Sequence, residues 1–381
     1  MIFELFLADN LQLYLYYALL GVFILQLVYF WGFFSTFSFY KKKPAVVNQL
    51  PVSVVICARN EYYNLEKNLP LILEQDYPDF EVIVVNDQSD DDTIGLLNDI
   101  SRQYPHLKVL HIEENKNFFQ GKKFPLSLGI KSAKNDIVLL TDTNCYPSGK
   151  NWINRMQSHF ANPKVKIVLG YGGYSTQKGL LNKLIRFDTI HTAMQYFSMA
   201  KIGLPFMGVG RNLAYRKSFF LDKKGFVSHL QIRSGDDDLF VNNNATRKNT
   251  KIEFSHESHT ISEPETSHSA WNFKKVYLAS TKKMYKFKHK IILLLFPLST
   301  LLFYGLSATM IAFYTNLYTI IVVAALLFIR LLSQLIITKN TMLRLKEKNF
   351  LLISPFFELY FIGYNLYVRF SSMTKRQNGW K

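Results

Sequence analysis

PVSVVICARNEYYNLEKNLPLILEQDYPDFEVIVVNDQSDDD, residues 51–92, decides the fold. Two apolar, β-branched runs, 52–57 and 81–85, each end in polar residues, and the segment between them has helical spacing. Apolar runs of that length, separated by a helical pattern, predict buried parallel strands of a βαβ unit. Ligands of an open α/β sheet bind beyond the carboxyl ends of its strands. Those ends are Ala58-Arg59-Asn60-Glu61 and Asn86-Asp87-Gln88-Ser89-Asp90, so a substrate is expected there.

Outward from this unit, further strands are expected at 107–112, 136–140 and 165–170, with a crossover helix at 121–133. Such alternation predicts a mostly parallel α/β sheet, extending from Pro51 to about Glu265. Before it, no charge occurs between Asp9 and Lys41, and 13–34 is long enough to cross a hydrocarbon core of about 30 Å. Lys41, Lys42 and Lys43 follow, which places the N-terminus outside and the α/β domain in the cytoplasm. After it, the uncharged tract 291–329 is twice the length of one crossing, and Tyr314-Thr315-Asn316 offers a turn. Two helices are expected, 291–313 and 317–337, with lysines such as Lys282 and Lys346 on both cytoplasmic flanks and Arg330 snorkelling or facing another helix. The apolar stretch 350–370 contains Pro355 and Glu358 and ends in basic residues, so a re-entrant or interfacial segment is expected in preference to a fourth crossing. The expected division is an N-terminal anchor at 1–45, a catalytic domain at 46–285 and a C-terminal membrane region at 286–381.

The formal charge of +17, from 45 Lys and Arg against 28 Asp and Glu, accords with cationic flanks on membrane segments; no basic run carries a nucleic-acid motif. Two cysteines, Cys57 and Cys145, make no disulfide framework and are expected to be small buried side chains.

Three acidic groups carry chemistry. Asp87, at a strand terminus, can accept hydrogen bonds from a base N–H or a ribose hydroxyl. In the run behind it, Ser89 or Asp90 is expected to cap the next helix, and Asp91 and Asp92 to cap or be solvated. Asp142 and Asn144 stand at i and i+2 on an extended segment, so they share a face and can meet one cation or one diphosphate. Adjacent Asp236, Asp237 and Asp238 repel one another, which raises the pKa of at least one and suits a general base; a charged helix N-terminus is the plainer use.

In their order and approximate spacing, VVICARNE, VVNDQSDDDT, GKKFPLSLGI, TDTNCYP, GVGRNLAYRKS and SGDDDLF resemble the motifs of family 2 glycosyltransferases of the GT-A fold, in its membrane-anchored branch. The resemblance covers Pro51 to about Thr281. It implies inverting transfer of a sugar from a nucleotide-diphosphate donor, UDP- or GDP-linked, to a hydroxyl of a lipid or lipid-linked glycan. It also implies a bacterial inner-membrane setting and a part in cell-envelope polysaccharide. Ala58, Arg59, Glu61, Asp87 and Lys122 would surround the nucleoside, and Asp142 and Asn144 would hold Mg²⁺ or Mn²⁺. Asp237 would be the base with Asp236 beside it, and Gly210, Arg211 and Asn212 would line the cleft.

Two departures qualify the resemblance. Asn144 stands where the family's metal motif usually has Asp, which predicts weakened metal binding. The Gln-Xaa-Xaa-Arg-Trp motif of chain-extending synthases is replaced by Lys274 at the Gln position and Tyr277-Leu278 in place of Arg-Trp, which favours single addition over a processive synthase. A catalytically silent membrane scaffold is the alternative of a different class. Lys274 and Lys275 precede a membrane helix and are expected to face lipid in preference to the diphosphate. The segment 179–204 is expected to be an amphipathic helix, either on the membrane surface or packed into the core.

Overall fold

The computed structural model describes residues 2–41, 49–112, 121–232 and 234–374. Lys42, Lys43 and the basic tail from Lys375 lie outside the described residues.

The opening runs form parallel strands β1, Val52–Ala58, and β2, Phe80–Asp87, joined through the helix Tyr62–Leu73. The helix Thr93–Gln103 leads to β3, Leu107–Ile112, and the helix Lys123–Ser132 to β4, Ile137–Leu140. Every residue of β1 is buried, because alternate side chains enter two different cores. Val55 and Cys57 pack with Leu126 and Ile130 on one face, and Val54 and Ile56 with Leu65, Leu69 and Leu97 on the other. Each such aliphatic side chain contributes about 1.5–3 kcal/mol on burial. Gly129 lets its helix lie on the sheet: a Cβ there would stand 2.6 Å from Val55 Cγ1 and 2.9 Å from Val85 Cγ2.

Six shorter strands complete the domain: β5, Cys145–Pro147; β6, Ile167–Leu169; β7, Gly172–Tyr174; β8, Leu213–Arg216; β9, Thr250–Ile252; and β10, Thr260–Ser262. Among the described residues the main sheet runs β3-β2-β1-β4-β8-β6-β9, and β5-β10-β7 forms a small second sheet. The main sheet is mostly parallel, as expected. Only β8 reverses, pairing antiparallel with both β4 and β6. Its register, Leu140 opposite Leu213, brings the residues just before β8 to the carboxyl end of β4.

Among the described residues three helices are long and apolar enough to cross a membrane. The N-terminal one contains a π-helical segment, Val28–Phe34. Phe287–Phe313 and Leu317–Leu345 form a hairpin whose second helix is capped by the Asn316 side chain on the Thr319 N–H, at 2.8 Å. Pairs such as Gln26–Ser299 (2.6 Å), Trp31–Ser333 (3.0 Å) and Ser38–Thr341 (2.8 Å) set the N-terminal helix antiparallel to the first hairpin helix and parallel to the second. Ser38, Phe287 and Leu345 therefore stand at one end of the bundle, the end that meets the α/β domain. The helix Leu180–Lys201 bridges the two: Phe187, Tyr196 and Phe197 lie in the domain core, and Met194 packs with Phe30, Phe34, Phe296 and Ile337.

Candidate active site

β1, β2 and β4 end side by side, and sharp turns follow the first two. Asn60 and Gln88 take left-handed φ values of 54° and 53°. The turns are cross-linked: Ser89 Oγ accepts from the Asn60 N–H at 2.9 Å, and Asn60 Oδ1 from the Asp90 N–H at 2.7 Å. Neither Ser89 nor Asp90 caps the following helix. Ser89 is spent on Asn60 and Asn86, and it is Asp91 that accepts from the N–H groups of Tyr62 (3.2 Å) and Thr93 (3.1 Å).

Asp87 is 4% exposed, and its Oδ1 has no partner. Burial raises the carboxyl above its ordinary range and the Arg59 charge offsets part of the rise. Ala58 offers only backbone at the end of β1, and Glu61 accepts from Asn64 at 2.6 Å.

Beyond β4 the chain turns where an extended segment was expected: the Cys145 N–H donates to the Asp142 carbonyl at 3.1 Å across Thr143 and Asn144. Thr141, Thr143 and Cys145 are buried, while Asp142 and Asn144, on this turn, are half-buried. Lys122, next to the crossover helix, donates to Asp142 Oδ1. Burial opposes the charge on Asp142, but Lys122, then Arg211 and Lys274, hold its carboxyl below the ordinary range. Among the described residues no group of three or more His, Cys, Asp and Glu is placed to hold a metal. Asp142 and Asn144 carry the oxygen donors that a hard cation takes when phosphate and water fill the rest of its shell.

The antiparallel β8 delivers the turn Gly210–Asn212 to this same edge, where Thr141 Oγ1 donates to the Arg211 carbonyl at 3.1 Å. Arg211 lies over the Tyr174 ring at 4.3 Å and donates to Gly173 O and Ser262 Oγ, both at 3.2 Å. Asn212 does not line the hollow: it is fully buried, its Oδ1 accepts from the Trp152 indole (3.1 Å), and its Nδ2 donates to the carbonyls of Tyr171 (2.9 Å) and Ser258 (2.6 Å). Its amide fixes the turn from behind.

Asp237 is the N-cap of the helix Asp238–Asn244. Its Oδ2 accepts from the Gly210 N–H at 2.7 Å and its Oδ1 from the Asp238 N–H at 2.6 Å. Burial, then the neighbouring charges of Asp236 and Asp238, raise its carboxyl well above the ordinary range against those two bonds. Asp236 faces Gly210 too; a Cβ there would stand 3.6 Å from Asp236 Oδ2. Gly210 bonds Asp237, and the next residue, Arg211, accepts from Thr141 beside Asp142, so acids that are far apart in sequence meet at the carboxyl end of β4.

Other parts of this site are placed only by the fold. Lys274 does not face lipid: it binds Glu265 at 3.0 Å and lies 5.5 Å from the centre of the Tyr174 ring, which Arg211 also approaches. Lys275 is likewise turned inward, onto both oxygens of Asp188 at 2.8 Å. Lys123 donates to the carbonyls of His229 (2.6 Å) and Ile232 (2.7 Å), holding the approach to the acidic loop. Asp238 is turned away from the hollow onto Thr281 Oγ1 (2.5 Å) and Tyr285 OH (2.6 Å), and Asn242 one turn on accepts from the Lys286 N–H at 3.0 Å. The base of the membrane hairpin is thereby pinned to the helix that starts at Asp237.

Residues 53–221 match the family model described as glycosyl transferase family 2. Glycosyltransferase AglE of Haloferax volcanii is 28% identical over 208 residues, 54% of this chain and 64% of that protein. The β-monoglucosyldiacylglycerol synthase of Synechocystis is 28% identical over 140 residues, 36% of this chain and 27% of that one. The match spans less than two thirds of either relative. Among solved structures, the mannosyltransferase PcManGT of Pyrobaculum calidifontis, in complex with GDP-Man and Mn²⁺, superposes with a TM-score of 0.59 at 18% identity, covering 97% of this chain and 99% of that one. The likeness shows a shared GT-A fold.

Proposed function

From the membership of residues 53–221 in glycosyl transferase family 2, we propose that the chain is a membrane-anchored inverting glycosyltransferase whose hollow faces the cytoplasm. In this reading it moves one sugar from a UDP- or GDP-linked donor to a hydroxyl of a lipid or lipid-linked glycan. The observation that carries it is the placing of Asp237, on the Gly210 N–H at 2.7 Å, one residue from the Arg211 carbonyl that bonds Thr141 beside the Lys122–Asp142 pair.

The nucleoside would rest against Ala58, Arg59, Glu61 and Asp87, where the unpartnered Asp87 Oδ1 awaits a donor such as a base N–H or a ribose hydroxyl. Asp237 would take the acceptor proton as the hydroxyl oxygen attacks the anomeric carbon; a positioned base contributes about 10²–10⁴-fold. The charge developing on the departing diphosphate would be met by Lys122, Arg211 and Lys274. Asp142 and Asn144 would hold Mg²⁺ or Mn²⁺, which supplies further charge neutralisation at the leaving group. Asp236 and Asp237 both border Gly210, and burial, with repulsion from Asp236 added, keeps Asp237 basic.

The test is turnover by purified full-length protein in lipid nanodiscs with a panel of UDP- and GDP-sugars, with the products sized. A single donor giving products extended by one residue supports the reading. A ladder of lengths points to a processive synthase, and no turnover or binding with any donor in the presence of Mn²⁺ points to a scaffold.

A further inference from the structure

The C-terminal helix Ser354–Thr374 falls outside the three candidate spans, yet one side of it is strongly apolar and bare. Leu352 just before it is 83% exposed, and Phe356 (71%), Tyr360 (42%), Tyr367 (50%), Phe370 (67%) and Met373 (75%) follow at spacings of three, four and seven. That spacing draws one continuous stripe along a helix. The opposite side is occupied: Phe357, Phe361 and Val368 are buried, and Phe357 and Phe361 contact Phe187.

Contacts along the helix say what covers the stripe. Ahead of it, Glu347 accepts from Arg186 Nε of the α/β domain at 2.8 Å. Within its first turns, Glu358 accepts from Arg330 Nη2 at 2.9 Å. Arg330 stands near the middle of Leu317–Leu345, about 20 Å from either end at a rise of about 1.5 Å per residue. Farther on, Tyr364 stacks on Trp271 at 4.9 Å and donates to Asn272 Oδ1 at 3.2 Å, back against the domain. The segment therefore starts at the domain, packs its first turns between Phe187 of the domain and Arg330 of the membrane helix, and runs on to Trp271 on the side where it began.

We propose that this segment is a re-entrant, interfacial element, and that its bare stripe is a docking surface for the lipid leaflet on the catalytic side. A stripe that starts beside Arg330 has acyl chains for its neighbours, and burial of aromatic and aliphatic side chains there is favourable. Its far end reaches the headgroup zone, where Arg369, Lys283 and Lys288 offer charge to anionic headgroups. Through Trp271 the same helix steadies the segment that carries Lys274, so the hollow is held beside the bilayer. The assignment rests on the three helices crossing a membrane and is independent of the transfer reaction.

The test is fluorescence of full-length protein in nanodiscs containing anionic lipid, with an environment-sensitive dye on a single added cysteine at Phe356, Phe370 or Met373. Cys57 and Cys145 are buried and leave the background unlabelled. Blue-shifted emission that lipid-borne doxyl groups quench and aqueous iodide does not, deepest at Phe356 and shallower at Phe370, is expected. Two results overturn the proposal: iodide quenching of Phe356 and Phe370 labels, which puts the stripe in water, or labelling of M373C by an impermeant reagent only from the side opposite K283C, which makes the helix a crossing. A label at Phe356 that abolishes folding leaves Phe370 and Met373 to decide.

Discussion

Two buried charge clusters in this chain are built from similar residues and finished differently. Around Arg330 four of the five N–H donors are used: Nε donates to Gln26 (3.2 Å), Nη1 to Tyr304 (2.9 Å) and Gln334 (3.2 Å), and Nη2 to Glu358 (2.9 Å), with Gln26 held in turn by Ser299. In the hollow, Asp87 Oδ1 has no partner and Asp237 keeps a raised pKa beside a second carboxylate. A closed network joins helices, because its cost of desolvation is met by its own members. An open one invites a ligand, since an unpaired buried polar atom costs about 1–3 kcal/mol until something bonds it. The same burial that would destabilise an idle cluster is thus the mark of a working one.

The contrast can be broken from either side. Asp237→Asn should lower turnover by about 10²–10⁴-fold with only a small change in thermal stability, since the relief of a repelling pair offsets the loss of one backbone bond to Gly210 or Asp238; a large loss of stability would merge the two clusters. Glu358→Gln should do the reverse, destabilising the fold by about 3–5 kcal/mol because Arg330 is left uncompensated. Replacing both Arg330 and Glu358 with Leu should recover much of that loss, as read by detergent denaturation. Asp142→Ala should cost about 10–100-fold in activity and in Mn²⁺ affinity, measured by titration with the nucleotide present. Tyr285→Phe removes one of the two hydroxyls on Asp238 and should cost about 1–3 kcal/mol in stability, with a smaller fall in rate, because the hairpin base then holds the Asp237 helix less firmly.

The smallest effect sharpens the picture most. Asp237 must be ionised to accept a proton, and its pKa is raised, so activity should fall as pH drops through a value above the ordinary carboxylate range. Asp236→Asn removes a negative neighbour and should move that acid limb to lower pH. An unmoved limb would separate Asp236 from the base.

Much of the sheet was legible because β1 to β4 are contiguous apolar runs bounded by polar turns. β5, β7, β9 and β10 were not, since three residues carry no period, and β8 hides in a loop-like stretch whose antiparallel pairing depends on partners far off in sequence. Asp87, Asp142 and Asp237 could be named from strand ends and acidic spacing. Asn212 could not be placed, because its type fits a cleft as well as a core, and only the indole of Trp152 and the carbonyls of Tyr171 and Ser258 settle which. Lys274 resembled a lipid-facing lysine until Tyr174 and Glu265 stood beside it. Arg330 announced a partner without naming it, and Glu358 lies 28 residues on, in another element.

The direct test of one shared hollow is a cryo-EM map of the full chain in nanodiscs with Mn²⁺ and a non-transferable nucleotide-sugar. The nucleoside should contact Asp87, the metal ion should sit at Asp142 and Asn144, and the anomeric carbon should face Asp237 across Gly210. Density for the donor on any other face, or an Asp237 carboxylate pointing away from the sugar, would contradict it.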